Sequence, residues 1–143
     1  MAEFSANAVQ TVNPGETIVF TEAPVPCNKG LVRHRDGTGN FLLAGRTCAC
    51  KRSATYLVDF GANIAVPTGE TVGPISVALS IDGATVPSTQ MIATPAAVEE
   101  FFNVSRATNV QIWAGCCESF SIRNTSEIPI LVENANVVFA YKG

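Results

Sequence analysis

Apolar and polar residues alternate along much of the chain, and this pattern predicts short β-strands. In residues 75–81, ISVALSI, four aliphatic side chains fall on one face, and two serines and an alanine fall on the other. Alternation with a period of two residues is typical of a strand that buries one face. Similar alternation occurs in TYLVDF (55–60), NVQIWAG (109–115), SFSIRN (119–124) and NVVFAY (136–141), and ETIVF (16–20) and GLVRHR (30–35) are also predicted to be strands.

Turn signals separate these stretches. They are Asn13-Pro14-Gly15, Asp36-Gly37-Thr38-Gly39, Pro67-Thr68-Gly69, Asp82-Gly83 and Asn124-Thr125-Ser126. Glycine supplies the positive φ that tight turns need, and Asn, Asp and Ser bond the local backbone. Strands spaced by about 10–15 residues, with no regular alternation of strands and helices, are typical of sandwiches and barrels. The pattern therefore predicts an all-β fold, an antiparallel β-sandwich.

The segment ATPAAVEEFF, residues 93–102, is compatible with two structures. Thr94 suits an N-cap and Pro95 suits the first helical position, and good helix formers follow. These features predict a short helix near residues 95–102. A strand through residues 98–104 fits equally well, and the sequence alone does not decide between them.

The composition indicates that part of the surface contacts other copies of the chain. A length of 143 residues suits a single domain. Only 15% of the residues are charged, compared with about 25% in an average soluble domain, and 47% are hydrophobic. So few charges cover the surface thinly, and association between copies would bury the apolar remainder.

Three other partners or locations are not favoured. No run of about 20 apolar residues is present, so no membrane-spanning helix is predicted. The net charge of −3 gives no electrostatic reason for nucleic-acid binding. The first ten residues, MAEFSANAVQ, lack the basic and apolar regions of a secretory signal. The expected partner is the chain itself, with no nucleic acid and no membrane.

The five cysteines leave three interpretations open. They are Cys27, Cys48, Cys50, Cys116 and Cys117. An odd number cannot all pair within one chain, so the alternatives are reduced and mostly buried thiols, one or two disulfides between segments, or a metal site. A zinc site usually contains a Cys-x-x-Cys pair, which is missing here. Parity with residues 119–124 predicts that Cys116 faces inward and Cys117 faces outward.

No catalytic or cofactor-binding group of residues is predicted. A cysteine nucleophile needs a base, and the only histidine, His34, lies in a predicted strand. The triplet His-Arg-Asp at 34–36 occurs without the other protein-kinase motifs. GTGNFL, residues 37–42, lacks the third glycine of a dinucleotide-binding loop. The chain is therefore expected to be non-enzymatic and to need no cofactor.

Five aromatic residues are predicted anchors of the core or of a trimer interface. They are Trp113, Tyr56, Phe60, Phe139 and Tyr141. Aromatic residues are enriched in subunit interfaces, where they bury large areas. Trp113 is the strongest interface candidate because it alternates away from the aliphatic residues of its own strand.

The turn-rich stretch RHRDGTGN, residues 33–40, is a candidate binding loop. Binding residues are found disproportionately on loops that a rigid scaffold positions. The residues expected to be exposed there are Arg35, Asp36, Thr38 and Asn40.

Longer stretches of the sequence resemble a known family. The chain opens with NAVQTVNPGETIVFTE (7–22), continues with ATYLVDFGANIAVPTGETVGPISVALSIDG (54–83) and closes with NVQIWAGCCESFSIRNTSEIPILVENANVVFAY (109–141). This arrangement resembles the jelly rolls of the TNF/C1q-like superfamily. It is most similar to short virion-surface proteins encoded by phages and prophages of gut Firmicutes. The stretches ISVALSIDG and ESFSIRNTS carry most of the resemblance.

The resemblance implies an antiparallel jelly roll that trimerises through one sheet on the outside of a particle. The expected protein is a homotrimeric capsid decoration or fibre-head protein of a phage virion, made in the bacterial cytoplasm, with capsid or fibre proteins as further partners. A receptor- or glycan-binding fibre tip, or a bacterial spore-surface fibre protein, is the alternative, and adhesion to a host glycan or protein is a secondary role. Residues 1–10 are expected to be an attachment arm, and residues 11–143 the jelly-roll domain.

Overall fold

Twelve β-strands form two antiparallel sheets, which confirms the predicted all-β sandwich. The structure is a computed structural model that describes residues 1–26, 31–45, 52–113 and 117–142. The strands are β1 (Ala2–Ala6), β2 (Gln10–Val12), β3 (Glu22–Val25), β4 (Val32–His34), β5 (Phe41–Leu43), β6 (Ser53–Ala65), β7 (Ile75–Ile81), β8 (Ala84–Thr85), β9 (Met91–Ala93), β10 (Phe102–Trp113), β11 (Glu118–Asn124) and β12 (Ile130–Tyr141), and one turn of 3-10 helix spans Pro87–Thr89.

Sheet 1 contains the first and the last strand of the chain. Its strands lie in the order β10-β6-β12-β1-β3, and β2 also pairs with β12. The 13-residue strand β6 pairs along its length with β10, from Ile64 opposite Phe102 to Ser53 opposite Trp113. Strand β1 pairs with the end of β12, so the two ends of the described chain are neighbours in one sheet.

Sheet 2 positions the candidate binding loop. Its strands lie in the order β4-β5-β11-β7-β8, and β9 also pairs with β7. Arg33 of β4 lies opposite Leu42 of β5, and Leu42 lies opposite Ser119 of β11. Residues directly opposite each other share a face of the sheet, so these three side chains form a row across three strands.

Aromatic rings fill the space between the two sheets. The rings of Phe41 and Phe139 have centroids 5.0 Å apart, and Phe120 lies 5.3 Å from Phe139. Phe4 of β1 adds a further contact, 4.9 Å from Phe41. Aromatic pairs at such distances are stabilising beyond their buried area, and here they join strands of both sheets.

Strand β7 is buried on both faces, although its alternation predicts one exposed face. Polar side chains fold over its outward face. The hydroxyl of Ser76 lies 2.6 Å from Oγ1 of Thr125, and Nε–H of Arg123 donates to Oγ of Ser80 at 3.2 Å. Serines can be buried here because each has a hydrogen-bond partner.

The short helix predicted near residues 95–102 is wrong. Residues 94–101 form an irregular turn, Glu99 has a φ of 59°, and β10 begins at Phe102. The strand alternative is therefore correct only from Phe102 onward. Strand β9 lies in sheet 2 and β10 in sheet 1, so this segment must carry the chain between layers, and that requirement overrides helix propensity. Across the described ranges, no helix has the length and hydropathy needed to cross a membrane.

Residues 1–10, expected to be an attachment arm, are part of the sandwich. Strand β1 lies between β12 and β3, and Phe4 is 5% exposed. The alternation of Ala2, Phe4 and Ala6 places small or aromatic side chains inward, and this burial fixes the segment to the sheet. The structure thus has no boundary at residue 10, and an attachment role for this segment stays a prediction.

Candidate assembly face and binding loop

Backbone hydrogen bonds hold residues 35–40 of the candidate binding loop against the neighbouring segment. The N–H of Phe20 donates to the carbonyl of Thr38 at 3.0 Å, and the N–H of Gly37 donates to the carbonyl of Phe20 at 2.9 Å. Within the loop, the hydroxyl of Thr38 donates to the carbonyl of Arg35 at 2.7 Å. These bonds give the loop one defined conformation between β4 and β5.

His34 holds the same loop from the core side of sheet 2. Its side chain is fully buried, and its ring stacks on Phe41 with centroids 4.4 Å apart. Nε2 lies 3.0 Å from the carbonyl oxygen of Thr38, and because a carbonyl can only accept, Nε2 carries the proton. Nδ1 has no hydrogen-bond partner among the described residues and lies 3.8 Å from Oδ1 of Asp36. His34 is therefore a structural residue of the loop, as its position in a strand indicated.

A shallow groove of about 550 Å³ runs across the outer face of sheet 2 beside this loop. One row of its lining is Arg33, Leu42 and Ser119. Arg35 and Asn40, just beyond the last paired residues of β4 and β5, also line the groove. Within the described residues the guanidinium groups of both arginines make no hydrogen bond or ion pair. The groove thus presents two unpaired cations on one face.

The structure places the predicted loop residues at the surface and brings in two that sequence reasoning missed. Arg35, Asp36 and Asn40 are exposed, and Thr38 is partly exposed. Arg33, the first residue of the predicted stretch 33–40, also lines the groove. The missed residues are Leu42 and Ser119, which could be found only from the strand register.

The outer face of sheet 1 combines neutral side chains with a few carboxylates. The strand register and the buried positions assign the outward side chains of β6, β10, β12 and β1. The described outward side chains of these strands are Ser53, Thr55, Leu57, Asp59, Asn63, Asn103, Ser105, Ala107, Asn109, Gln111, Trp113, Leu131, Glu133, Asn136, Val138, Ala140, Glu3 and Ser5. Glu22 of β3 lies opposite Ser5 on the same face, and Lys142, just after β12, donates its backbone N–H to the carbonyl of Thr55. We call this surface the sheet 1 face.

Aliphatic residues meet at the middle of the sheet 1 face. Leu57 lies opposite Asn109 on one side and Ala140 on the other. In the next row, Asp59 lies between Ala107 and Val138. Around this centre the face is amide-rich, and Nδ2 of Asn103 donates to Oδ1 of Asn63 at 3.1 Å.

The five predicted aromatic anchors occupy different environments. Tyr56, Phe60 and Phe139 lie in the core of the single chain, at most 1% exposed. The hydroxyl of Tyr56 lies 2.8 Å from the carbonyl oxygen of Ala44, and Tyr141 is partly buried against the Tyr56 ring. Trp113 is 62% exposed at the end of β10, the edge strand of sheet 1.

Of the five cysteines, only Cys117 lies among the described residues. It is partly buried and directly precedes β11. Cys27, Cys48, Cys50 and Cys116 lie outside the described residues, so the inward position expected for Cys116 stays a prediction. Among the described residues, no three His, Cys, Asp or Glu side chains are grouped so that they could hold a metal ion.

Comparison with known proteins identifies the fold. The chain is similar to the globular domain of zebrafish complement 1qA, with a TM-score of 0.63, 13% identity, and coverage of 99% of this chain and 98% of that one. It is also similar to the Eiger TNF of S. frugiperda, with a TM-score of 0.71, 14% identity, and coverage of 99% and 91%. No protein-family model and no curated protein sequence matches the chain. The fold is the C1q/TNF jelly roll, as the resemblance implied.

Proposed function

We propose that this chain is a non-enzymatic structural protein that forms homotrimers through the sheet 1 face on the surface of a phage virion. It would serve there as a capsid decoration or fibre-head protein, with capsid or fibre proteins of the same particle as partners. The observation that carries the assembly part is the aliphatic centre of the sheet 1 face around Leu57, with the exposed Trp113 at its edge.

An antiparallel sheet that packs one face on a core usually presents polar and charged side chains on the other. The sheet 1 face has aliphatic side chains together with Asp59 at its centre, and mostly amides and hydroxyls around them. Interface cores are depleted in charge and enriched in aromatic residues. Trp113, exposed at the edge of this face, suits that composition.

Asp59, Glu133, Glu3 and Glu22 are the ionisable side chains of this face among the described strand residues, and none of them makes an ion pair within the described part of the chain. Burial of the aliphatic centre of this face between copies removes apolar area from water. A closed ring of copies, such as a trimer, also covers the exposed edge of β10.

The virion part of the proposal rests on the sequence resemblance in ISVALSIDG and ESFSIRNTS. Residues 75–81 and 118–124 of these stretches form β7 and β11, which pair side by side in sheet 2. Two segments that carry the resemblance are therefore neighbours in one sheet.

Native mass spectrometry of two matched variants tests the assembly. Leu57→Arg places a cation at the centre of the sheet 1 face, and Leu42→Arg makes the same change on the outer face of sheet 2. We expect a trimer for the wild-type protein and for Leu42→Arg, and monomers for Leu57→Arg, with or without reductant. A monomeric wild-type protein, or a Leu57→Arg variant that remains trimeric, would show that the sheet 1 face is not the interface.

A second candidate function is recognition of a ligand on a host surface. The unpaired guanidinium groups of Arg33 and Arg35 in the sheet 2 groove favour it. Two unpaired charges at one site are more typical of recognition than of fold stabilisation, because isolated surface charges contribute little to folding.

A further inference from the structure

We propose that the groove on the outer face of sheet 2 binds the terminal carboxylate-bearing sugar of a glycan. This inference rests on the second candidate function and names its ligand class. It does not depend on the trimer, because the groove lies on the sheet opposite to the sheet 1 face.

The two arginines define the acidic part of the ligand. Arg33 and Arg35 lie two residues apart on the same side of the chain, about 6.8 Å between Cα atoms for an extended segment. Each guanidinium can bind a carboxylate with two parallel hydrogen bonds. The nearest loop carboxylate, Asp36, lies beside His34 and pairs with neither arginine. One carboxylate of a ligand can therefore be bound by either group or by both.

The rest of the groove is neutral and suits the hydroxyls and ring of a sugar. Leu42, 40% exposed, lies between Arg33 and Ser119 in one row. It offers an apolar surface to the C–H face of a pyranose ring. Asn40 presents an amide with no hydrogen-bond partner among the described residues, and the hydroxyl of Ser119, which donates to Asp82, presents its oxygen as an acceptor.

Charge along the groove limits the ligand to one acidic end. Beyond Ser119, the row continues to Asp82, whose carboxylate accepts hydrogen bonds from the backbone N–H of Ser119 at 2.8 Å and from its hydroxyl at 3.2 Å. Asp82 thus places one carboxylate past Ser119, at the end of the groove away from the two arginines. A ligand with carboxylates along its whole length would be repelled at the far end, whereas an acidic sugar followed by neutral sugars would not.

The direction of the groove favours a sugar over a peptide. An extended peptide that added to the edge strand β4 would run along the strand, and neighbouring strands lie about 4.8 Å apart. Such a peptide would not reach Ser119 on β11, two strands away. The groove instead crosses β4, β5 and β11, and its volume of about 550 Å³ lies within the range of small-ligand sites.

The site is also preorganised. The bonds from Phe20, Thr38 and His34 hold the loop that carries Arg35 and Asn40 in one conformation. Binding to such a loop does not require it to be ordered first, which favours affinity for a small ligand.

Isothermal titration with 3′-sialyllactose, which has one carboxylate at one end, and with lactose, which has none, tests the ligand class. We expect saturable binding of the acidic trisaccharide only. Arg33→Gln and Arg35→Gln should each weaken it by about tenfold or more, since each removes charge-assisted hydrogen bonds. Arg52→Gln, which removes an exposed arginine just before β6, is the matched control and should bind as the wild type does.

Amide chemical shifts in the same titrations locate the site, with triglutamate as a peptide probe. We expect 3′-sialyllactose to shift Arg33, Asn40, Leu42 and Ser119. No saturable binding, equal binding of lactose, or an equal loss in Arg52→Gln would overturn the inference. Tighter binding of triglutamate in the groove would also overturn it, while leaving ligand recognition by this surface in place. If no probe shifted the amides of the groove residues, both this inference and the second candidate function would be wrong.

Discussion

At the residue scale, Gly39 shows how closely the candidate binding loop packs against the neighbouring segment. A Cβ built on Gly39 would overlap Oγ1 of Thr17 and would lie 2.6 Å from the carbonyl oxygen of Ile18. Real Cβ atoms do not approach a backbone oxygen so closely, so a side chain here must displace the backbone of residues 17 and 18. Glycine is required at this position for close approach and not for an unusual φ.

Replacement of Gly39 by alanine is therefore expected to destabilise the fold. Overpacking of this kind costs about 1–3 kcal/mol, and urea denaturation of Gly39→Ala measures it. Gly73→Ala is the control, since nothing lies within 4 Å of a Cβ at Gly73. It should change the free energy of unfolding by less than about 0.5 kcal/mol. Equal free energies of unfolding for the two variants would mean that residues 17 and 18 can move to accommodate the added methyl group without destabilising the fold.

His34 and Arg33 show which parts of the site can be predicted from single residues. Parity in the sequence VRHR correctly separates the inward histidine from the two outward arginines. What parity could not supply is the identity of the rings around His34, which come from β1 and β5 as well as from Phe20. Those contacts depend on strand register, which local alternation does not determine.

At the element scale, β1 decides whether residues 1–10 act as an arm or as part of the sheet. Phe4 lies 5.0 Å from His34, 4.9 Å from Phe41 and 6.1 Å from Phe139, measured between ring centroids. A five-residue strand with such contacts is held by burial on its inner face and by pairing on both edges.

The variants Phe4→Ala and Val9→Ala test whether residues 1–10 behave as an arm or as part of the sheet. Phe4→Ala should lower the free energy of unfolding by about 3–5 kcal/mol, because it leaves a cavity in the aromatic core. Val9, 54% exposed, should tolerate alanine with a change within about 0.5 kcal/mol. Chemical denaturation measures both. If Phe4→Ala were as stable as Val9→Ala, the segment would behave as an independent arm.

The turn at residues 94–101 illustrates why local propensity failed for one element. Pro95 and the alanines that follow favour a helix by themselves, but the chain must leave sheet 2 at Ala93 and enter sheet 1 at Phe102. The backbone N–H of Glu99 donates to the carbonyl of Val66 at 2.7 Å, and this bond holds Glu99 at positive φ. A left-handed residue ends any helix, so the strand pairings and not the segment itself set its structure.

At the scale of the whole molecule, assembly makes stability depend on protein concentration. Unfolding of a trimer releases three chains, so dilution favours the unfolded state. We expect the Tm of the wild-type protein to rise by about 2–4 °C for each tenfold increase in concentration. The Tm of Leu57→Arg should not change with concentration, and calorimetry over a hundredfold range compares the two. A wild-type Tm that is also independent of concentration would count against a trimer.

The architecture could be predicted from the sequence further than the site could. Alternation located β6, β7, β11 and β12 because each has a long inner face of apolar residues. The lining of the groove could be predicted only in part. Leu42 is one aliphatic residue among many until its register with Arg33 and Ser119 is known. The sheet 1 face could not be predicted either, because its aliphatic centre combines residues of three strands, β6, β10 and β12, that are distant in sequence.

The two outer faces of the sandwich point in opposite directions, and this has a consequence for valency. A trimer joined through sheet 1 would direct sheet 2 of every copy away from the trimer axis. Each trimer would therefore present three identical grooves. Once one groove is occupied, a second ligand on the same surface binds at an effective concentration set by the spacing of the grooves. Attachment to a densely glycosylated cell could then be firm even though each sugar is held weakly and exchanges quickly.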